Sequence, residues 1–283
     1  YGGGEIGIVK SVPPGANLIF KGDDVKPGDL VLRKGRRLEP QDVGALAALG
    51  VTQVPVVPRL RVGLISTGDE LVPPEGDPGP AQVRDVNGPL VAALLAQAGA
   101  EAVPLGTVPD REELLREAVE KALERCHCVV LSGGSSVGEK DAACRVMASL
   151  GEVLCHGVAM KPGKPTLLGK AGGKPILGLP GHPVAALFTA KLFLIPLLAR
   201  LEGRTWKGRT VSAKLAQTVP ANHGRAQYTG VTLEEKPDGL WAVPIWGKSG
   251  PITTLAGADG FFCVPRDREG IPAGEPVEVS LFG

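Results

Sequence analysis

From Leu60 to about Leu201 the chain repeats one unit, a short apolar run followed by a run of helical period, and that repetition admits few architectures. Arg61 to Ser66, Glu101 to Leu105 and Cys128 to Ser132 predict buried strands. Pro89 to Ala98, stopped at Gly99, and Arg111 to Arg125 predict the helices between them. A helix over Asp141 to Leu150, strands at Glu152 to Cys155, Thr166 to Leu168 and Ile176 to Leu179, and one long helix from Val184 to Leu201 extend the series. Strand, helix, strand in this order predicts an α/β domain built on a three-layer parallel sheet with right-handed crossovers. Binding sites in such sheets lie beyond the carboxyl ends of the strands.

The flanks read differently. Residues 1 to 57 hold short β-prone runs (Glu5 to Lys10, Gly7 to Val12, Asn17 to Phe20, Asp29 to Leu32) broken by Pro13-Pro14-Gly15 and Pro27-Gly28, then a helix over Pro40 to Leu49 ending on Gly50. A small mixed β module is expected there. From residue 204 to 283 the β-prone segments Thr210 to Ala216, Tyr228 to Leu233, Leu240 to Pro244, Gly260 to Val264 and Pro276 to Leu281 predict a small barrel or sandwich. The expected division is therefore 1–57, 58–203 and 204–283.

Composition narrows the function classes. Lys and Arg number 31 against 30 Asp and Glu, so no bulk field is available to hold nucleic acid, and any anion must be bound locally. Five cysteines, an odd number with no CxxC pair, predict thiols in a reducing, cytoplasmic setting. No secretory signal is evident, and the longest apolar stretch, Ala185 to Leu201, is interrupted by Lys191 and Pro196, so no membrane span is expected. The chain begins Tyr1-Gly2-Gly3-Gly4 without an initiator Met, from which an N-terminal portion upstream is expected.

Four loops carry candidate chemistry. Ser66-Thr67-Gly68-Asp69-Glu70-Leu71 puts a glycine and two carboxylates at a strand end, where a ligand or magnesium could sit, or where Asp69 simply bonds its own turn. Ser132-Gly133-Gly134-Ser135-Ser136-Val137-Gly138-Glu139-Lys140-Asp141 follows a buried strand, so its backbone N–H groups can approach a phosphate, or it is a connector with Asp141 as a helix cap. It is neither a dinucleotide fingerprint nor a Walker loop. Met160-Lys161-Pro162-Gly163-Lys164-Pro165 presents two ammonium groups from a backbone stiffened by prolines, as an anion site would, or carries an ordinary solvated pair of surface lysines. Gly178-Leu179-Pro180-Gly181-His182-Pro183 joins a buried strand to the long helix. Asp110 reads locally as a helix cap, with Glu113 three residues on completing a capping box. Cys126-His127-Cys128 lies at a strand start, where alternate side chains diverge, and argues against a metal site.

Taken in order, these loops together with Asn87-Gly88-Pro89 and Val108-Pro109-Asp110 resemble the molybdopterin molybdenumtransferase family, the MoeA and gephyrin E-domain type, over essentially the whole chain. The resemblance implies a molybdopterin-binding-like α/β domain and an enzyme, a transferase that ligates molybdate to adenylylated molybdopterin with release of AMP, uses Mg2+ and works as an elongated homodimer. It implies Asp110, Asp141, Lys161 and Lys164 as catalytic residues, with Glu70, Asp110 and Asp141 holding the metal. Thr67, Gly68, Ser132, Gly133, Gly134, Ser135, Pro180, Gly181, His182 and Ser249 are then the substrate-binding positions. His182 stands where the family usually has Asn, and Ser135 where it often has Val. The family's N-terminal region, with its Met-Asp-Gly-Tyr-Ala segment, is expected to be missing. Two other readings stay open: a molybdopterin adenylyltransferase, which would normally be a single α/β domain, and a non-catalytic molybdopterin-binding scaffold. A contact with the adenylyltransferase as donor of the substrate follows from the first reading, with no nucleic acid or membrane involved.

Overall fold

The computed structural model describes residues 4, 7, 9–133, 142–221 and 224–283. The chain divides into two compact units, Tyr1–Val56 and Val57–Gly283.

In the first unit the only regular element among the described residues is α1 (Pro40–Ala48). The Asp42 carboxylate accepts the Glu39 N–H at 3.0 Å and pairs with Arg36 at 2.7 Å, which holds its pKa below the ordinary carboxylate value. Among the described residues none of the β-prone runs expected there is a strand; Glu5, Ile6 and Ile8, in the first of those runs, lie outside the described residues. The cause is local capture of backbone donors. Asp23 accepts the N–H of Phe20, the last residue of one run, at 2.7 Å, and Asp29, the first residue of the next, accepts that of Lys26 at 2.8 Å, closing turns at the ends of both runs.

The second unit opens on β1 (Arg61–Thr67), six of whose seven residues are buried. β2 (Leu71–Val72) and β3 (Val83–Arg84) make a two-residue parallel pair beside it. α2 (Asn87–Ala98) stops at Gly99, whose φ of 84° lies in the left-handed region that favours glycine. Then come β4 (Glu101–Val108), α3 (Glu112–Arg125), the wholly buried β5 (Cys128–Ser132), α4 (Ala142–Leu150) and β6 (Glu152–His156). β7 (Met160–Lys161) leaves this layer, and β8 (Leu167–Ala171) and β9 (Lys174–Leu179) return to it.

The sheet order is β4-β1-β5-β9-β8-β6. The first four strands are parallel, as expected, but β8 runs antiparallel to β9 and β6 antiparallel to β8. The reason is connection length: only Gly172-Gly173 separates β8 from β9, both at positive φ, which makes a hairpin and leaves no room for a crossover. Alternation along β5 feeds two cores. Cys128 and Val130 pack with α2 and the long helix, Val129 and Leu131 with α3 and α4, giving three layers.

The long helix is continuous but not uniform: α5 (Pro183–Thr189), a π-helical turn at Ala190–Leu194, and α6 (Ile195–Leu201). Pro196 lacks an N–H and its ring excludes the carbonyl one turn back, so the ladder widens just before it. Pro183–Leu201, with 19 residues and mean hydropathy 1.9, is long and apolar enough to cross a bilayer by length and composition, contrary to expectation. Its apolar surface is used inside the fold, where Ala186, Ala190, Leu194, Ile195 and Leu198 are buried in the central core.

The second sheet, β13-β10-β16-β14-β12-β7, comprises β10 (Thr210–Leu215), β12 (Ala226–Lys236), β13 (Gly239–Pro244), β14 (Gly260–Val264) and β16 (Pro276–Leu281) in addition to β7. A further pairing of β13 with β12 closes it into a barrel around its own core. β11 (Val219–Pro220) and β15 (Gly270–Ile271) form a small antiparallel pair. Two features join the barrel to the α/β layers. β7 pairs in parallel with the start of β12, and Phe188 of α5 meets Phe261 of β14 edge-on at 5.2 Å in an apolar cluster with Met160 and Val184.

Candidate functional site

The ends of the parallel strands bring together residues that are distant in sequence. Ser66 and Thr67 close β1 and are almost completely buried, so their hydroxyls need partners. Thr67 Oγ1 donates to the carboxylate of Asp110, just past the end of β4. The Asp110 N–H in turn donates to Asp69 Oδ1 at 3.2 Å. Neither local expectation for these aspartates holds. Asp69 bonds across strands and not within its own turn, and Asp110 does not cap α3, whose N-cap position is Arg111, with no side-chain cap. The Arg111 N–H instead donates to the Pro109 carbonyl at 2.6 Å, a tight turn that leaves Asp110 one residue too early to reach the helix amides. Asp69, Glu70 and Asp110 are all exposed and so form a solvent-facing carboxylate rim.

Glycines make the approach close. At Gly68 a Cβ would lie 2.7 Å from Glu70 Oε2, so the Glu70 side chain folds over this residue. Gly133, at the end of β5, has φ 96°, and a Cβ there would lie 2.1 Å from the Thr67 carbonyl. Across from it, a Cβ on Gly181 would sit 3.8 Å from the Gly133 Cα. Thr67, Gly133 and Gly181 are therefore neighbours around one opening, with buried Ser132 and Pro180 beneath. The remainder of the Gly-rich loop, with Gly134, Ser135 and Asp141, lies outside the described residues.

His182 is joined to the barrel: its Nδ1 is 2.8 Å from Ser249 Oγ, and the Val184 N–H donates to the Ser249 carbonyl at 3.1 Å. Lys161, the last residue of β7, and Lys164, on the loop that follows, are both exposed. Gly163, at φ 118°, lies under the Met160 side chain and close to Thr189 Oγ1, while the Thr166 hydroxyl donates to the Gly163 carbonyl at 2.7 Å. Among the described residues neither ammonium forms a hydrogen bond or ion pair, so the loop presents two cations and is not joined by a bond to the carboxylate rim.

Among the described residues no group of three or more His, Cys, Asp and Glu side chains could hold a metal. Glu70 and Asp110 are carboxylates of the kind that takes Mg2+, which is held by one or two such groups together with substrate phosphates and keeps several waters. The Cys126-His127-Cys128 run is structural. Both thiols are buried, and burial pushes Cys128 up to about 12, while His127 Nδ1 accepts the Arg61 N–H at 3.0 Å.

Sequence reading missed Asp85. Its Oδ2 accepts the Ser66 hydroxyl at 2.5 Å and its Oδ1 the Gly88 N–H at 3.0 Å, tying the end of β1 to the start of α2. The signal was present, since Asp three residues before Gly88 at a helix start is a capping pattern. The role of Asn87, described below, was missed as well.

A sheet whose carboxylate and glycine loops gather at its strand ends, tied to a closed barrel, defines a protein of the molybdopterin-binding class. Three family models match in order: the MoeA N-terminal region (domain I and II) over residues 3–50, a probable molybdopterin binding domain over 63–200, and the MoeA C-terminal region (domain IV) over 212–282. The chain is 34% identical over 273 residues to the molybdopterin molybdenumtransferase of Haemophilus influenzae, covering 95% of this chain and 68% of that protein. It is 34% identical over 284 residues to molybdopterin molybdenumtransferase 1 of Mycobacterium tuberculosis, covering 97% and 67%. The crystal structure of a molybdopterin biosynthesis MoeA protein from Pyrococcus horikoshii superposes with a TM-score of 0.84 at 39% identity, over 98% of this chain and 68% of that one. This chain belongs to the molybdopterin molybdenumtransferase family.

Proposed function

We propose that this protein binds adenylylated molybdopterin across the carboxyl ends of β1, β4, β5 and β9 and inserts molybdenum from molybdate, with release of AMP. The observation that carries this reading is the convergence of Thr67, Asp110, Gly133 and Gly181 on one opening. A pyrophosphate there meets backbone that glycines allow it to approach closely. Thr67 fixes the Asp110 carboxylate, and Glu70 supplies a second one. With Asp141, these residues would hold Mg2+, which supplies charge neutralisation at the phosphoanhydride. Thr67, Gly68, Ser132, Gly133, Gly134, Ser135, Pro180, Gly181 and His182 line the substrate, and Ser249 orients His182.

Lys161 and Lys164 hold the molybdate dianion, a task for fixed cations without competing carboxylate partners. The barrel and this loop favour the insertase over an adenylyltransferase. The same reading includes a homodimer, an adenylyltransferase as the donor of the substrate, and a cytoplasmic setting, to which five cysteines, none in a disulfide among the described residues, lend support.

The test is incubation of the purified chain with adenylylated molybdopterin, Mg2+ and molybdate, with AMP followed chromatographically. AMP release that needs both metal species is expected. Binding without release would overturn the enzymatic reading and leave a scaffold. Replacing both lysines, Lys161→Ala with Lys164→Ala, should remove the response to molybdate while leaving nucleotide binding within about twofold of the parent.

A further inference from the structure

Asn87 opens α2 with 6% of its surface exposed. Its Nδ2 donates to the Gly181 carbonyl at 2.9 Å and, more distantly, to the Pro180 carbonyl at 3.4 Å. Its Oδ1 is buried and has no hydrogen-bond partner among the described residues. A buried acceptor left unsatisfied is a cost to folding, which offsets part of what the two donated bonds contribute to stability. What the amide supplies is its pair of donors.

Those donors set two peptide planes. The only cis peptide among the described residues is Lys161-Pro162, so the peptides around Gly181 are trans, with C=O and N–H on opposite sides. With both carbonyls turned onto Asn87, the N–H groups of Gly181 and His182 point the other way. No hydrogen bond among the described residues uses either of them, and both residues are exposed beside Gly133. Asn87 is itself held firmly, because Asp85 clamps the start of α2 to Ser66 of β1. Two adjacent N–H groups on a glycine loop form a concavity for an anionic oxygen.

Given the adenylylated substrate proposed for this site, we infer that Asn87 is a positioning residue: it holds the Pro180-Gly181-His182 peptides so that two N–H donors face a phosphoryl oxygen of that substrate. The test pairs affinity for adenylylated molybdopterin, by titration calorimetry in Mg2+ buffer, with thermal melting. Asn87→Leu removes the donors together with the orphaned acceptor, a loss and a gain that offset, so it should melt within a few degrees of the parent yet bind about tenfold more weakly. Asn87→Asp sets a carboxylate against two carbonyls and should lose both affinity and stability.

A second pair probes the donor itself. His182 has φ −69°, which proline adopts without strain, so His182→Pro deletes the N–H, and His182→Ala controls for the lost imidazole. The proline variant should bind about tenfold more weakly than the alanine variant at a similar melting temperature. Parental affinity in Asn87→Leu together with equal affinity in the two His182 variants would overturn the inference. Failure of the parent itself to bind adenylylated molybdopterin would instead overturn the functional reading.

Discussion

Thr67 and Asp110 stand 43 residues apart, at the ends of neighbouring parallel strands, and a hydrogen bond from the threonine hydroxyl to the aspartate carboxylate joins them. The threonine is 1% exposed while the aspartate faces solvent, so a buried group fixes the direction of an exposed one. Thr67→Val keeps the volume and deletes the donor. Stability should fall by about 1 kcal/mol in urea titrations, as for one ordinary hydrogen bond. AMP release should fall by about tenfold or more, because the carboxylate loses its fixed aim. Unchanged turnover at this small cost in stability would remove Asp110 from the site.

Gly133 is a second point where geometry leaves little choice. Its φ of 96° and the Thr67 carbonyl, 2.1 Å from where a Cβ would lie, mean that Gly133→Ala must displace backbone of either β1 or the loop. A loss of at least about 2 kcal/mol is expected from strain and overpacking together. A melting temperature lower by about 5 °C would register it. A variant that melts like the parent would show that the two strand ends are not held this closely.

Legibility in the sequence followed the range of the interactions. The alternation of strands and helices could be read because strands buried on both faces are apolar along their length, as β5 is up to its terminal Ser132. Gly99 could be read as a helix stop because the required conformation belongs to one residue. The role of Asp110 could not, since a capping rule looks three residues ahead and the true partner lies across the sheet. The antiparallel edge was missed although Gly172-Gly173 announced it, because apolar runs carry no mark of direction. Likewise Asp23 and Asp29 turned β-prone runs of the first unit into turns through bonds that composition alone does not weigh.

Alkaline conditions should weaken the central sheet. Burial pushes the Cys128 thiol from 9.0 up to about 12, so the folded state favours the neutral form and the unfolded chain loses its proton first. This group leaves stability unchanged below about pH 9 and lowers it progressively from there towards pH 12. Tyr228, also raised to about 12 by burial, adds to the same decline from its ordinary value of 10.0. In urea unfolding at pH 7.5 and pH 10, Cys128→Ala should be less stable than the parent at the lower pH but lose less on going to the higher one. Equal losses in the two proteins would show that the thiol is not the responsible group.

The pairing of Met160 and Lys161 with Ala226 and Gln227 has a consequence for the order of events during synthesis. A chain growing from its amino end can assemble the parallel sheet as soon as β9 has emerged, but β7 must wait for β12. Until then the loop bearing Lys161 and Lys164 is held by its own bonds, from the Thr166 hydroxyl to Gly163 and from the Val158 N–H to Lys164, but not by the second sheet. The carboxylate rim can thus form on a nascent chain well before the cation pair is tied to the barrel, so a chain interrupted near residue 204 would keep the first and lack the strand pairing that anchors the second.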